Sequence, residues 1–123
     1  MSDTIPCIDP STGEAFDTIP RGTAADIGAA VDAARAAFDG EWGKRTAAER
    51  GRLMHRLSTL ILEHADALAV LESRDVGKPL AQARADVTAC ARYFEFYGGA
   101  ADKVHGDTIP YLDGYTVMTL REP

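Results

Sequence analysis

The groups in this 123-residue chain that could do chemistry are two thiols, three imidazoles and one carboxylate at a chain reversal. Cys90 stands in Thr88-Ala89-Cys90-Ala91-Arg92, on the apolar seam of a helical pattern. A thiol there is a small apolar side chain unless a cation or a helix N-terminus draws out its thiolate. Arg92 is near in sequence but does not face it, so the buried, inert form is expected. Cys7 precedes a turn and has no evident activator. His55 lies mid-helix near Arg52 and Arg56, whereas His64 and His105 fall near helix ends, where an imidazole serves the helix dipole. Asp75 precedes Val76-Gly77-Lys78-Pro79, where the backbone must turn sharply. A carboxylate beside the free carbonyls of a helix end can help hold a hard cation. Its alternative is a cap or a salt bridge to Arg74 or Lys78, and on residue types alone that alternative is favoured. No Gly-x-Gly-x-x-Gly and no P-loop pattern occurs, and no nucleophile stands beside a base.

The elements that must carry these groups follow from period and punctuation. Asp9-Pro10-Ser11-Thr12-Gly13 is a turn signal between short apolar runs, Ile5 to Ile8 and Ala15 to Ile19, and predicts a β-hairpin. Thr23 with Asp26, and Thr46 with Glu49, read as capping boxes that open helices. Ile27, Ala30, Val31, Ala34 and Phe38 give the first helix its apolar face, Gly40 ends it, and Trp42 reads as a core anchor. Leu53, Leu57, Leu60, Ile61 and Leu62 mark the second helix. A further pattern through Leu68, Leu71 and Val76 stops at Gly77-Lys78-Pro79, with Gly77 as a left-handed cap. Leu80, Ala83, Val87, Cys90, Phe94, Tyr97, Ala101 and Val104 then form a seam in steps of three and four, ending at His105-Gly106. Tyr93 to Tyr97 wraps this helix as core and interface. Thr108 to Leu112 and Tyr115 to Leu120 read as a second hairpin about a type I′ Asp113-Gly114 turn. Asp-Thr-Ile-Pro occurs at 3–6, 17–20 and 107–110, and marks strand ends rather than a repeat architecture.

Composition narrows the function classes. Thirteen basic against nineteen acidic residues leave a formal charge of −6, which disfavours a nucleic-acid partner because no cationic excess exists to neutralise phosphates. The 46% hydrophobic and 26% charged content is that of a globular chain. Neither an apolar run of membrane-spanning length nor a signal peptide is apparent, and two cysteines make no disulfide framework. A cytoplasmic chain with reduced thiols and no membrane partner is expected.

Six runs, in order, resemble one family. Asp9-Pro10-Ser11-Thr12-Gly13-Glu14 resembles the NPxTGE turn of aldehyde dehydrogenases. Asp26-Ile27, Ala33 to Phe38 and Trp42 resemble that family's first helix, and Ala48-Glu49-Arg50 with Arg52-Leu53 its AERxRLL segment. Asp75 to Leu80 resembles LDxGKPL, Phe96 to Lys103 with His105-Gly106 resembles YYAGxADKxHG, and Arg121-Glu122-Pro123 resembles REP. The resemblance is collinear and covers nearly the whole chain.

The resemblance implies an α/β enzyme of the aldehyde dehydrogenase superfamily. This segment would be mainly α-helical, with short β-hairpins at both ends. Residues 1–106 would be the N-terminal helical part of the cofactor-binding domain, and 107–123 a hairpin resembling the oligomerisation element. In that family a cysteine thiolate attacks an aldehyde, hydride passes to NAD or NADP, and a glutamate-activated water hydrolyses the thioester. The family's Gly-Gln-x-Cys nucleophile, its glutamate, its Gly-rich cofactor turn and its Pro-Trp-Asn segment would all lie beyond Pro123. The family also has a further strand pair before the first turn. The chain is thus expected to be an N-terminal segment, inactive alone, with no catalytic or cofactor-binding residue of its own.

Some members hold a monovalent cation, K+ or Na+, with backbone carbonyls before the first turn and the Asp of LDxGKP. These positions match Cys7 or Ile8 and Asp75, with Arg74 where the family has Leu. By the same resemblance Asp86 and Ala89 border the substrate tunnel, and Thr108, Ile109, Tyr115, Val117 and Thr119 belong to a homo-oligomer contact. Two rival readings are a stand-alone self-associating module, using the 107–121 hairpin and the Leu80–Val104 seam, and a small cation-binding domain around Asp75.

Overall fold

The computed structural model describes residues 3–121, so Met1, Ser2 and the Glu122-Pro123 end of the last family-like run and of the 107–123 part lie outside the described residues. The chain begins with β1 (Thr4–Ile8) and β2 (Ala15–Pro20), an antiparallel pair with Ile5 opposite Ile19 and a bulge between Cys7 and Ile8. The first two Asp-Thr-Ile-Pro copies therefore pair with each other, Thr4 opposite Pro20 and Pro6 opposite Thr18. Asp9 organises the connecting turn. Its carboxylate accepts from the Ser11 hydroxyl at 2.6 Å and the Ser11 N–H at 2.8 Å, while Gly13 takes the left-handed φ of 75°. Those two hydrogen bonds, the hydroxyl's first, hold the Asp9 pKa below its ordinary value.

Both predicted capping boxes form. Thr23 opens α1 (Ala24–Asp39) with Asp26, and Thr46 opens α3 (Ala47–Glu63) with Glu49. Between them lies the short α2 (Glu41–Lys44). His64 joins α3 to α4 (Ala65–Val76), and Gly77, at φ 70°, closes α4 as the expected left-handed cap. Pro79 then leads into α5 (Leu80–Ala100).

The core lies where α5 packs on α3 and α4, and it is built from small residues. Ala69 and Ala83 are fully buried, with Val87 and Ala91 nearly so, and Ile61 and Ala65 pack against the cluster. Gly51 of α3 and Gly98 of α5 face each other at the crossing. This phase corrects the expected seam. The buried positions of α5 are Ala83, Val87, Ala91 and Gly98, whereas Cys90 and Tyr97 are exposed. A close crossing admits only the smallest side chains, so Ala91 and Gly98 take the places that periodicity gave to larger neighbours. The helix also ends at Ala100 rather than at His105. Gly98 and Gly99 weaken it there, the Ala101 N–H turns back to the Gly98 carbonyl, and Lys103 Nζ caps the Gly99 carbonyl at 2.7 Å.

The second hairpin is shorter than expected. β3 (Thr108–Ile109) pairs antiparallel with β4 (Val117–Met118), Thr108 opposite Met118 and Ile109 opposite Val117. Only Gly114 of the Asp-Gly pair has positive φ, so the turn is not type I′, and Tyr115 lies in the loop, edge-on to Tyr111. Trp42 is 46% exposed and anchors no core.

Apolar side chains of α1 and α5, among them Ile27, Val31, Phe38, Tyr93 and Phe96, stand in the open. The accessible surface is 9846 Å² for 13.2 kDa. A folded monomer of this mass exposes about 6,400 Å², so about 3,400 Å² is in excess. No helix among the described residues is long and apolar enough to cross a membrane.

Candidate functional site

The hairpin turn docks on the corner between α4 and α5. Pro10 sits against Gly77, where a Cβ would come within 2.8 Å of the proline ring. Arg74 reaches from α4 to the hairpin, with Nε 3.7 Å from the Asp9 carboxylate and the guanidinium 4.5 Å above the centre of the Phe16 ring. This docking forms a cleft of about 840 Å³ between the hairpin and helices α3, α4 and α5. Phe16, Ile19, Ile61, Leu68, Leu71 and Val87 supply its apolar walls. The polar groups on it are the thiols of Cys7 and Cys90 and the carboxylates of Asp17, Glu72, Asp75 and Asp86.

Lys78 fixes two of those acids. Its ammonium donates to Asp86 Oδ2 at 2.6 Å and to Glu72 Oε1, tying α4 to α5 across the turn. These bonds, Asp86's first, raise the lysine's pKa above its ordinary value. Arg74 and Lys78 are thus both engaged elsewhere, and neither bonds Asp75. The salt bridge favoured from residue types is not formed, and Asp75 is an exposed carboxylate on the cleft.

The structure therefore brings Cys7, Asp75 and Asp86 to one cleft, while Ile8 is not among its lining residues. Ala89 faces a separate groove of about 430 Å³ with Arg92, Tyr93, Phe96 and Tyr97. Thr108, Ile109, Val117 and Thr119 lie on or beside the second ladder. Sequence periodicity does not reveal the Lys78 clamp. Its signal was a lysine in an interhelical turn with acids on both flanking helices, a pattern without periodicity.

None of the three histidines lines the cleft, so its thiols have no imidazole base there. Among the described residues, no group of three or more His, Cys, Asp or Glu side chains is placed to hold a metal. A cation at Asp75 would need backbone carbonyls for its other ligands. The arrangement can bind and position, but it holds no complete catalytic set.

A sequence profile of the aldehyde dehydrogenase family matches residues 1–123. Aldehyde dehydrogenase family 2 member B4, mitochondrial, of Arabidopsis thaliana is 48% identical over 122 residues, 98% of this chain and 23% of that protein. Hydroxyisobutyraldehyde dehydrogenase of Mycolicibacterium austroafricanum is 46% identical over 120 residues, 98% of this chain and 24% of that one. Among solved structures, PnpE in complex with nicotinamide adenine dinucleotide superposes with a TM-score of 0.92 at 39% identity, covering 98% of this chain and 25% of that one. A Burkholderia cenocepacia protein assigned as an aldehyde dehydrogenase superposes with a TM-score of 0.95 at 62% identity, covering 98% and 26%. The chain spans about a quarter of the length of these relatives. With the profile matched from end to end and the helix-rich architecture, a hairpin at either end, shared with solved members, this chain belongs to the aldehyde dehydrogenase family.

Proposed function

We propose that the chain serves as the N-terminal segment of an NAD(P)-dependent aldehyde dehydrogenase and is inactive by itself. In this reading residues 1–106 are the helical part of the cofactor domain and 107–123 the oligomerisation element of a cytoplasmic homo-oligomer. Family membership supplies the chemistry, oxidation of an aldehyde to a carboxylic acid. One geometric observation supports the dependence on further polypeptide: the excess of about 3,400 Å² of surface, beyond a self-sufficient monomer's. Family membership also disfavours the stand-alone module.

Nicotinamide cofactor does not fit this chain's own residues. Both ladders are antiparallel, and among the described residues no parallel strand crossover sets a helix N-terminus at a strand end, as a dinucleotide site needs. This topology supports assigning NAD or NADP binding to the rest of the enzyme. Asp75, with the Cys7 or Ile8 carbonyls, is assigned to a K+ or Na+ site, which the shared cleft supports for Cys7 and Asp75. Asp86 and Ala89 are assigned to the border of the aldehyde's path. Asp86, held by Lys78, would be a fixed wall of that path rather than a proton donor.

The test is aldehyde-dependent NADH formation. The purified 123-residue chain is expected to show none. Adding the remaining portion of a close relative as a separate polypeptide is expected to restore it, and turnover by the chain alone overturns the proposal.

A further inference from the structure

The first hairpin is fastened to the helices at one corner. Its backbone hydrogen bonds stay within it: the Arg21 N–H donates to the Asp3 carbonyl and the Asp9 N–H to the Glu14 carbonyl, each at 2.9 Å. So do its side-chain bonds, from Ser11 to Asp9, from the Glu14 N–H to Thr12 and from the Thr18 N–H to Asp17. Among the described residues, the one polar tie from hairpin to helix is the Asp9–Arg74 pair. Pro10 against Gly77 and Phe16 beneath the guanidinium complete the corner. Open space adjoins it. The cleft of about 840 Å³ holds Cys7 and Asp75, and Asp9 and Arg74 themselves line a further groove of about 420 Å³.

Arg74 is chemically suited to hold two unlike surfaces at once. The Asp9 side chain is 16% exposed and already fixed by Ser11, so it offers a carboxylate of set position. The guanidinium is flat: it presents Nε to that carboxylate and its face to the Phe16 ring. A lysine keeps the charge and loses the flat face. A leucine, the residue of the family motif, could meet Phe16 but leaves Asp9 without its cation. The tie also stands next to the two groups that share the cleft. Asp9 follows Cys7 by two residues, and Arg74 immediately precedes Asp75. Whatever holds Asp9 on Arg74 therefore sets how far the β1 backbone at Cys7 stands from the Asp75 carboxylate.

We propose that Arg74 is a positioning residue: it seats the hairpin on α4 and so pre-sets the gap between Cys7 and Asp75. Its link to function rests on reading Asp75 and the Cys7 or Ile8 carbonyls as a K+ or Na+ site. A cation that bridges β1 and α4 must otherwise draw the hairpin in as it binds, and its apparent affinity falls with the fraction of chains that are seated. With Arg74 in place the two sides already stand together before any ion arrives. The residue that departs from the family motif is then the one that makes the site ready.

The cleft carries its own reporter. Cys7 is half-buried and Cys90 exposed, so the rate at which iodoacetamide alkylates Cys7, relative to Cys90, measures seating in the whole 123-residue chain. Arg74→Ala is expected to raise that ratio about fivefold, the combined worth of an exposed ion pair and a cation–π contact, with unchanged helical circular dichroism. Arg74→Lys should recover part of the loss. Phe16→Leu should raise the ratio in the wild type and add little in Arg74→Ala. Tetramethylammonium chloride, which screens the pair, should raise it in the wild type with no variant needed. In thermal melts, the K+ concentration giving half the stabilisation should be several-fold higher for Arg74→Ala. A Cys7 ratio that neither Arg74→Ala nor salt changes overturns the positioning role. If Cys7 is freed but K+ acts on both proteins with one midpoint, the link from seat to site is overturned. If Cys7 is freed and K+ stabilises neither protein, Arg74 still seats the hairpin and the cation reading of Asp75 falls.

Discussion

Gly51 and Gly98 meet backbone to backbone where α3 crosses α5: a Cβ on Gly51 would stand 2.5 Å from the Gly98 carbonyl oxygen. Nothing flexible lies between them, so a methyl group can be admitted only by parting the helices. Gly51→Ala is expected to destabilise the chain by about 1–3 kcal/mol, even though alanine is the better helix former. Gly28→Ala, in α1 with nothing near the new methyl, should instead stabilise by about 0.4–1 kcal/mol. Urea denaturation of the two variants separates packing from propensity.

The Lys78 clamp has an alkaline signature. Its pKa is raised above 10.5 by Asp86 and Glu72, so the folded state binds this proton more tightly than the unfolded state. The stabilisation is complete below the ordinary lysine value and lost as pH rises through the folded one. Lys78→Met should lower the melting temperature at neutral pH by leaving two carboxylates facing each other. It should also flatten the decline in stability above pH 10.5. Melting temperature against pH, for both proteins, measures each effect.

The helix caps have an acidic signature. Bonds from Thr46 hold Glu49 below 4.5, and bonds from Thr23 hold Asp26 below 3.8, the backbone N–H first in each case. Their contribution is present above those values and lost as pH falls through the lowered ones. Thr46→Ala is expected to cost about 1 kcal/mol at neutral pH, as loss of an N-cap does, and to reduce the acid slope. Helical circular dichroism followed from pH 7 downward is the measurement.

Asp75 can be tested by linkage. If the carboxylate helps hold K+ or Na+, the cation should stabilise the wild type by about 1.4 kcal/mol at ten times its dissociation constant. Asp75→Ala should lose that increment. Thermal melts at constant ionic strength, with a bulky organic cation as the control salt, distinguish binding from screening.

Local chemistry was legible in the sequence. Thr23 with Asp26, Thr46 with Glu49, Gly77 and the Asp9 turn each depend on residues within a few positions, and each forms as read. Long-range choices were not. Periodicity alone places the seam of α5 one position out of phase at Cys90 and Tyr97, because the crossing with α3 is set by Gly51, which lies in another helix. Arg74 could have paired with Asp75, but the hairpin offered it Asp9 and the Phe16 ring. Of the candidate site, Cys7, Asp75 and Asp86 meet on one cleft, whereas the Lys78 clamp required knowing that α4 and α5 lie side by side.

A core of alanine, valine and glycine has a calorimetric consequence. Unfolding this chain alone exposes little new apolar surface, because so much is exposed already. Its heat-capacity increment should fall below the usual value of about 12–15 cal/mol/K per residue, and its urea m-value should be small for its length. The endotherm of the isolated chain would be broad and shallow. Covering its open faces would sharpen that transition without altering a single contact inside it.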